Sequence, residues 1–104
     1  MAKTTKKIFG VATTLHVCPE TGIQSVTYHQ TVVAKMNPLV GNIRLDSGGY
    51  RTTTTKKRIN QALEHWGSQA RVFQKDYMWY LDRGNGTTCE FADGMAVQHG
   101  FPRP

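Results

Sequence analysis

Three consecutive cations, Lys56, Lys57 and Arg58, follow four threonines where the sequence predicts a helix to begin. The positive end of the helix dipole lies there, so each cation is unfavourable by roughly 0.3–1 kcal/mol. A bound anion would be favoured by the helix N–H groups, the dipole and the side-chain charges together. The pattern therefore indicates an anion-binding site.

The residues before and after these cations supply groups suited to the same ligand. Two adjacent glycines let backbone amides approach an anion, and the threonine hydroxyls donate hydrogen bonds without adding charge. The spacing matches neither a Walker A loop nor a dinucleotide fingerprint. The candidate residues for binding an anion or a partner are Gly48, Gly49, Tyr50, Arg51, Thr54, Lys56, Lys57, Arg58 and Gln61.

Two kinds of partner fit this segment, namely nucleic-acid phosphates and the acidic face of a protein that itself binds nucleic acid. The alternative is a loop followed by a capped helix whose cations are only solvated.

A second candidate set is aromatic and lies between residues 73 and 80, with cations interleaved. Alternate residues of a strand share a face, so Tyr80 faces solvent if Trp79 and Leu81 face the core. Exposed rings of Tyr77 and Tyr80 would suit base stacking. The alternative is that the aromatic residues of this region form the core beneath Trp66.

Residues for metal binding and catalysis form no recognisable pattern. His16, Cys18, His29 and Cys89 are zinc-ligand types, but no C-x2-C or H-x3-H pair is present. The seven acidic residues are scattered mostly at predicted turns. The sequence therefore predicts no cofactor, no metal and no enzyme activity.

Length and charge point to one small basic domain covering residues 1–104. The net charge is +6, which favours polyanionic partners. No apolar run approaches the roughly 20 residues that span a bilayer, and no convincing signal peptide precedes the domain. We therefore expect a cytoplasmic protein without a membrane partner, in which Cys18 and Cys89 are free thiols, although a disulfide between them stays open.

One helix is predicted to position the cations. Ile59, Ala62, Leu63 and Trp66 form a single apolar stripe, which predicts a helix over residues 55–66. Thr54 or Thr55 would be its N-cap, and Gly67 stands where a left-handed glycine ends a helix.

The remaining elements are predicted strands in an α+β fold of order β-β-β-α-β-β-β. The helix is expected to pack on one antiparallel sheet of five or six strands. Residues 1–7 are predicted to be a basic tail and residues 96–104 a loosely held tail. The predicted strands cover residues 8–17, 24–36, 40–45, 70–74, 78–82 and 87–91.

Residues 42–61 resemble a family of small proteins of tailed bacteriophages, which carry the pattern L-x-S-G-G-[WY]-x-T-x-T-T-K-x-R-x-N-Q. The likeness continues into residues 72–80 and 91–95. It implies a phage origin and supplies no catalytic residues. Such an origin favours a non-enzymatic accessory protein that binds and modulates host nucleic-acid-handling or defence machinery, for example a CRISPR or restriction inhibitor. The alternative is a protein that binds DNA or RNA phosphates directly through the basic helix start.

Overall fold

The computed structural model describes residues 4–6, 10, 12–84 and 86–98. In this part of the chain, five strands precede the helix and four follow it. This is an α+β fold, as the sequence predicts. The elements are β1 (Thr4–Lys6), β2 (Thr13–Val17), β3 (Gln24–Tyr28), β4 (Thr31–Asn37), β5 (Asn42–Leu45), α1 (Thr53–His65), β6 (Arg71–Lys75), β7 (Met78–Asp82), β8 (Thr88–Glu90) and β9 (Ala96–Gln98).

The strands form two antiparallel sheets, which corrects the prediction of one sheet. The larger sheet has the order β1-β2-β3-β4-β5-β9, and the smaller sheet has the order β6-β7-β8. The helix contacts β3 and β4 on one side and β6 on the other. After the helix, β6, β7 and β8 pair with one another in the smaller sheet, and β9 returns to the larger sheet to pair with β5.

The predicted strand over residues 24–36 is a hairpin in the structure. Tyr28 pairs with Thr31, and the chain reverses at His29, whose φ of 56° lies in the left-handed region. A bulge after Val26 then places both Val33 and Ala34 in the core. The turn has no glycine or asparagine, so its sequence carries none of the usual hairpin signals.

Two segments that were predicted as tails contain edge strands of the larger sheet. Thr4–Lys6 pairs with β2, and Ala96–Gln98 pairs with β5. The other residues of these predicted tails lie outside the described part of the chain. Each of these strands is only three residues long, so its own pattern carries little signal, and β9 also depends on pairing with a strand far away in the chain.

The helix buries the predicted stripe and begins two residues earlier than predicted. Ile59, Ala62 and Leu63 are fully buried, and Trp66 is 7% exposed. The N-cap is Thr52, whose hydroxyl accepts a hydrogen bond from the Thr55 N–H at 3.1 Å. Gly67 has the expected left-handed backbone, with φ of 78°.

The helix is 13 residues long, and within the described residues no helix is long and apolar enough to cross a membrane. Cys18 and Cys89 are free thiols and lie, respectively, just beyond β2 of the larger sheet and in β8 of the smaller one.

Candidate anion-binding site at the start of the helix

The loop before the helix is held from both sides by carboxylates. The Asp46 carboxylate accepts from the Gly48 N–H at 2.6 Å. Asp93 accepts from the Ser47 N–H at 2.8 Å and from the Ser47 hydroxyl at 2.7 Å. The segment that carries Asp93 is itself joined to β5, because the Gly94 N–H donates to the Leu45 carbonyl at 2.8 Å. The loop is therefore fixed to the end of β5.

Gly48 permits close contact between this loop and β4. Its φ is 64°, and a Cβ atom at this position would lie 2.6 Å from Thr31 Oγ1. Gly49 also has a positive φ, of 84°, but a Cβ atom there would meet nothing within 4 Å. Position 48 therefore requires glycine because Thr31 approaches the backbone closely. Position 49 favours glycine only because its φ is positive.

The first turn of α1 is rich in hydroxyls. Residues 53–56 are Thr, Thr, Thr and Lys. The hydroxyls of Thr52 and Thr55 lie 3.0 Å apart in a hydrogen bond, and Thr55 is buried while Thr54 is half-buried. A helix start leaves backbone N–H groups without intrahelical partners, so this end of α1 carries partial positive charge.

Arg51 and Lys56 lie over the same aromatic ring, that of Trp79. The Arg51 guanidinium carbon is 5.5 Å from the Trp79 ring centre and 5.0 Å from that of Phe91. Lys56 Nζ is 6.0 Å from the Trp79 ring centre and donates to Gln74 Oε1 at 3.4 Å. Lys57, the next residue of the helix, is exposed. We call Arg51, Lys56 and Lys57 the helix-start surface.

Asp93 is the carboxylate in contact with this surface. Its Oδ1 lies 3.9 Å from Arg51 Nη2, and both side chains are more than a third exposed. An exposed pair at this distance contributes at most about 1 kcal/mol. An incoming phosphate can therefore compete with Asp93 for Arg51.

Arg58 lies on the other flank of the helix, away from the helix-start surface. It is 8% exposed, its guanidinium carbon lies 5.7 Å from the Tyr28 ring centre, and Nη1 donates to Gln61 Oε1 at 2.9 Å. A Cβ atom on Gly10 would lie 2.5 Å from Arg58 Nη2. Within the described residues, Arg58 Nε has no hydrogen-bond partner. The structure therefore separates Arg58 and Gln61 from the exposed cations.

The two tyrosines considered for base stacking are also apart from the helix-start surface. Tyr80 lies on the outer face of the smaller sheet, where its ring stacks on Phe73 with centroids 5.7 Å apart. Trp79, the residue before Tyr80, faces inward toward Arg51 and Lys56. Tyr77 is 94% exposed in the turn between β6 and β7. Tyr50 is the tyrosine next to the helix start, and it is 69% exposed.

A cleft of about 720 Å³ opens between the β3–β4 turn and the helix start. Among the candidate residues from the sequence, Tyr50 lines it. The turn residues were not predicted as part of a site, because the hairpin that brings them to the helix was not predicted either. The lining residues are Tyr28, His29, Gln30, Thr31, Val33, Ser47, Tyr50, Thr52 and Thr55.

The described His and Cys side chains do not come together as a zinc site. Within the described residues, no group of three or more His, Cys, Asp or Glu side chains could hold a metal ion.

The thiol of Cys18 has a lowered pKa. Hydrogen bonds from the Thr21 hydroxyl and from the backbone N–H groups of Thr21 and Glu20 lower this pKa.

Comparison with models of protein families finds a match for this chain. The family model of the Kyanoviridae Gp96 protein matches residues 2–98, which is nearly the whole chain. No curated protein and no solved structure matches the chain.

Proposed function

The chain belongs to the Kyanoviridae Gp96 protein family, a family of phage proteins. On this basis we propose that it is a non-enzymatic accessory protein that binds nucleic acid in the infected host. In this proposal it acts in the host cytoplasm on nucleic-acid-handling or defence machinery. Its contacts with phosphates are made by the helix-start surface.

The observation that carries the proposal is the convergence of Arg51 and Lys56 at the positive end of α1. Both cations lie over the Trp79 ring, and Lys57, the residue after Lys56, is exposed. The nearby carboxylate of Asp46 accepts from a backbone N–H group, and that of Asp93 accepts from both groups of Ser47. A phosphate that takes the place of Asp93 at Arg51 would therefore meet side-chain cations and the helix dipole together.

The test is fluorescence anisotropy with a labelled single-stranded oligonucleotide at about 50 mM and about 200 mM salt. The variant Lys56→Glu/Lys57→Glu should weaken binding by at least about tenfold and flatten the salt dependence, because fewer counterions are released. The matched control is Lys35→Glu/Lys75→Glu, which makes the same change in charge at exposed lysines on two outer sheet faces. Equal losses in both variants, or no binding at low salt, would overturn the proposal.

A second candidate function is favoured by a different surface. Phe73 and Met78 are 37% and 43% exposed on the outer face of the smaller sheet, and Tyr77 is 94% exposed in the turn between β6 and β7. Aromatic residues and methionine are enriched at the cores of protein interfaces. The variant Lys56→Glu/Lys57→Glu should still bind a host protein that docks on this surface. The variant Tyr77→Ser/Met78→Ser should lose that binding. The reverse pattern would exclude this candidate.

A further inference from the structure

We infer that the cleft between the β3–β4 turn and the helix start holds one unpaired nucleobase of a single strand. This inference rests on the proposed function and specifies its ligand. The binding unit would be a nucleotide whose base enters the cleft and whose phosphates lie on the helix-start surface.

The cleft has the size and rigidity for such a ligand. Its volume of about 720 Å³ lies within the range of ordinary ligand pockets, about 300–1,000 Å³. One wall is the hairpin turn, and the other is the loop that Asp46 and Asp93 fix to β5. The close contact of Gly48 with Thr31 brings the two walls together at one end.

The chemistry of the walls fits an uncharged planar ligand. Among the described residues that line the cleft there is no Lys, Arg, Asp or Glu. Gln30 offers an amide that donates and accepts, and the hydroxyl of Thr31 offers both as well. A nucleobase presents donors and acceptors on its edge without net charge. A free phosphate, by contrast, would meet no side-chain cation on these walls.

Aromatic rings at the cleft supply stacking surfaces. Tyr50 lines the cleft and is 69% exposed, so most of its ring is open to a ligand. On the opposite wall, the rings of Tyr28 and His29 lie 4.3 Å apart and are tilted by 54°. Stacking of a base on an aromatic side chain strengthens single-strand binding by about tenfold or more and depends little on sequence.

The position of the cleft connects base and phosphate recognition. Thr52 lines the cleft and is also the N-cap of α1, and Arg51 precedes it in the chain. A base in the cleft would therefore lie beside the helix N-terminus, and in this proposal its phosphates extend past Thr52 toward Arg51 and Lys56. A base paired within a duplex is stacked between its neighbours and would have to leave the stack to enter, so single strands are preferred.

The first arm of the test compares two labelled probes of about 12 units: oligothymidylate, and an abasic oligomer with the same number of phosphates. The bases should strengthen binding by about tenfold, so oligothymidylate should bind that much more tightly than the abasic oligomer. Tyr50→Ala should remove this difference, and the control Tyr77→Ala, at another exposed tyrosine, should retain it. Equal binding of the two probes to the unaltered protein would overturn the cleft inference and leave the proposed function standing.

The second arm titrates thymidine monophosphate into isotopically labelled protein and follows its NMR spectrum. Resonances of Gln30, Thr31 and Tyr50 should shift together. Shifts confined to Tyr77 and Tyr80 would place base contacts on the smaller sheet and overturn the inference. Cleft shifts without oligonucleotide binding would overturn the proposed function and, with it, the assignment of a single strand as the ligand of the cleft. The absence of both would likewise overturn both.

Discussion

The side-chain amide of Asn60 makes two hydrogen bonds to the backbone of Val72. Its Nδ2 donates to the Val72 carbonyl at 2.9 Å, and its Oδ1 accepts from the Val72 N–H at 2.7 Å. Val72 lies in β6, an edge strand of the smaller sheet, so Asn60 takes the place of a neighbouring strand. One side chain thereby joins the helix that carries the cations to the sheet that carries Trp79.

Replacing Asn60 should weaken the attachment of β6 to α1. Asn60→Ala leaves both backbone groups of Val72 without this partner and should destabilise the protein by about 2–3 kcal/mol in urea unfolding. Asn60→Asp should also be destabilising, because a carboxylate accepts from the Val72 N–H but repels its carbonyl. The control Glu64→Ala, at an exposed position of the same helix, should change stability by less than about 0.5 kcal/mol. A loss in Asn60→Ala no larger than that of the control would contradict the structural role.

The helix was predictable because its signals are local. The apolar stripe from Ile59 to Trp66 and the glycine at position 67 depend only on spacing within the helix. The N-cap was misplaced because four successive threonines are all suitable caps. In the structure the cap is Thr52, whose hydroxyl accepts from the Thr55 N–H, and the loop before it is held by Asp93, which is far along the chain.

The division into two sheets was not predictable from local patterns. The Asn60–Val72 contact and the return of β9 to β5 join distant parts of the chain. The candidate site shows the same limit. Sequence identified the cations, but the burial of Arg58 depends on Tyr28 and Gly10, which lie on separate segments.

Adjacent cations should therefore respond differently to charge reversal. Lys57→Glu changes an exposed side chain that lies just after the first turn of α1 and should alter the free energy of unfolding by less than about 0.5 kcal/mol. Arg58→Glu places a carboxylate against the Tyr28 ring in a buried position and should destabilise by on the order of 3 kcal/mol. Urea unfolding of the two variants tests this. Equal effects on the free energy of unfolding would mean that Arg58 is exposed in solution.

Cys18 should react faster than an ordinary thiol at neutral pH. Hydrogen bonds from Thr21 and from nearby backbone N–H groups lower the pKa of Cys18, so more of it is thiolate, which is the reactive form. Thr21→Val removes the hydroxyl donor, raises the pKa and should slow alkylation. The rate with iodoacetamide is measured against pH in a Cys89→Ser background, so that one thiol is followed. An unchanged profile in Thr21→Val would rule out this cause of the shift.

Gly48→Ala and Gly49→Ala should separate steric contact from backbone strain at the cleft wall. Both positions have positive φ, so both variants should lose roughly 1 kcal/mol from the backbone alone. Only Gly48→Ala also forces a Cβ atom against Thr31, so it should unfold at lower urea and bind oligothymidylate more weakly than Gly49→Ala. Adding Thr31→Ala to Gly48→Ala should recover most of the extra loss of stability, because the obstructing Oγ1 and Cγ2 atoms are removed. Identical stabilities of the two single variants would show that the loop does not press on β4, and the cleft would then lack its fixed wall.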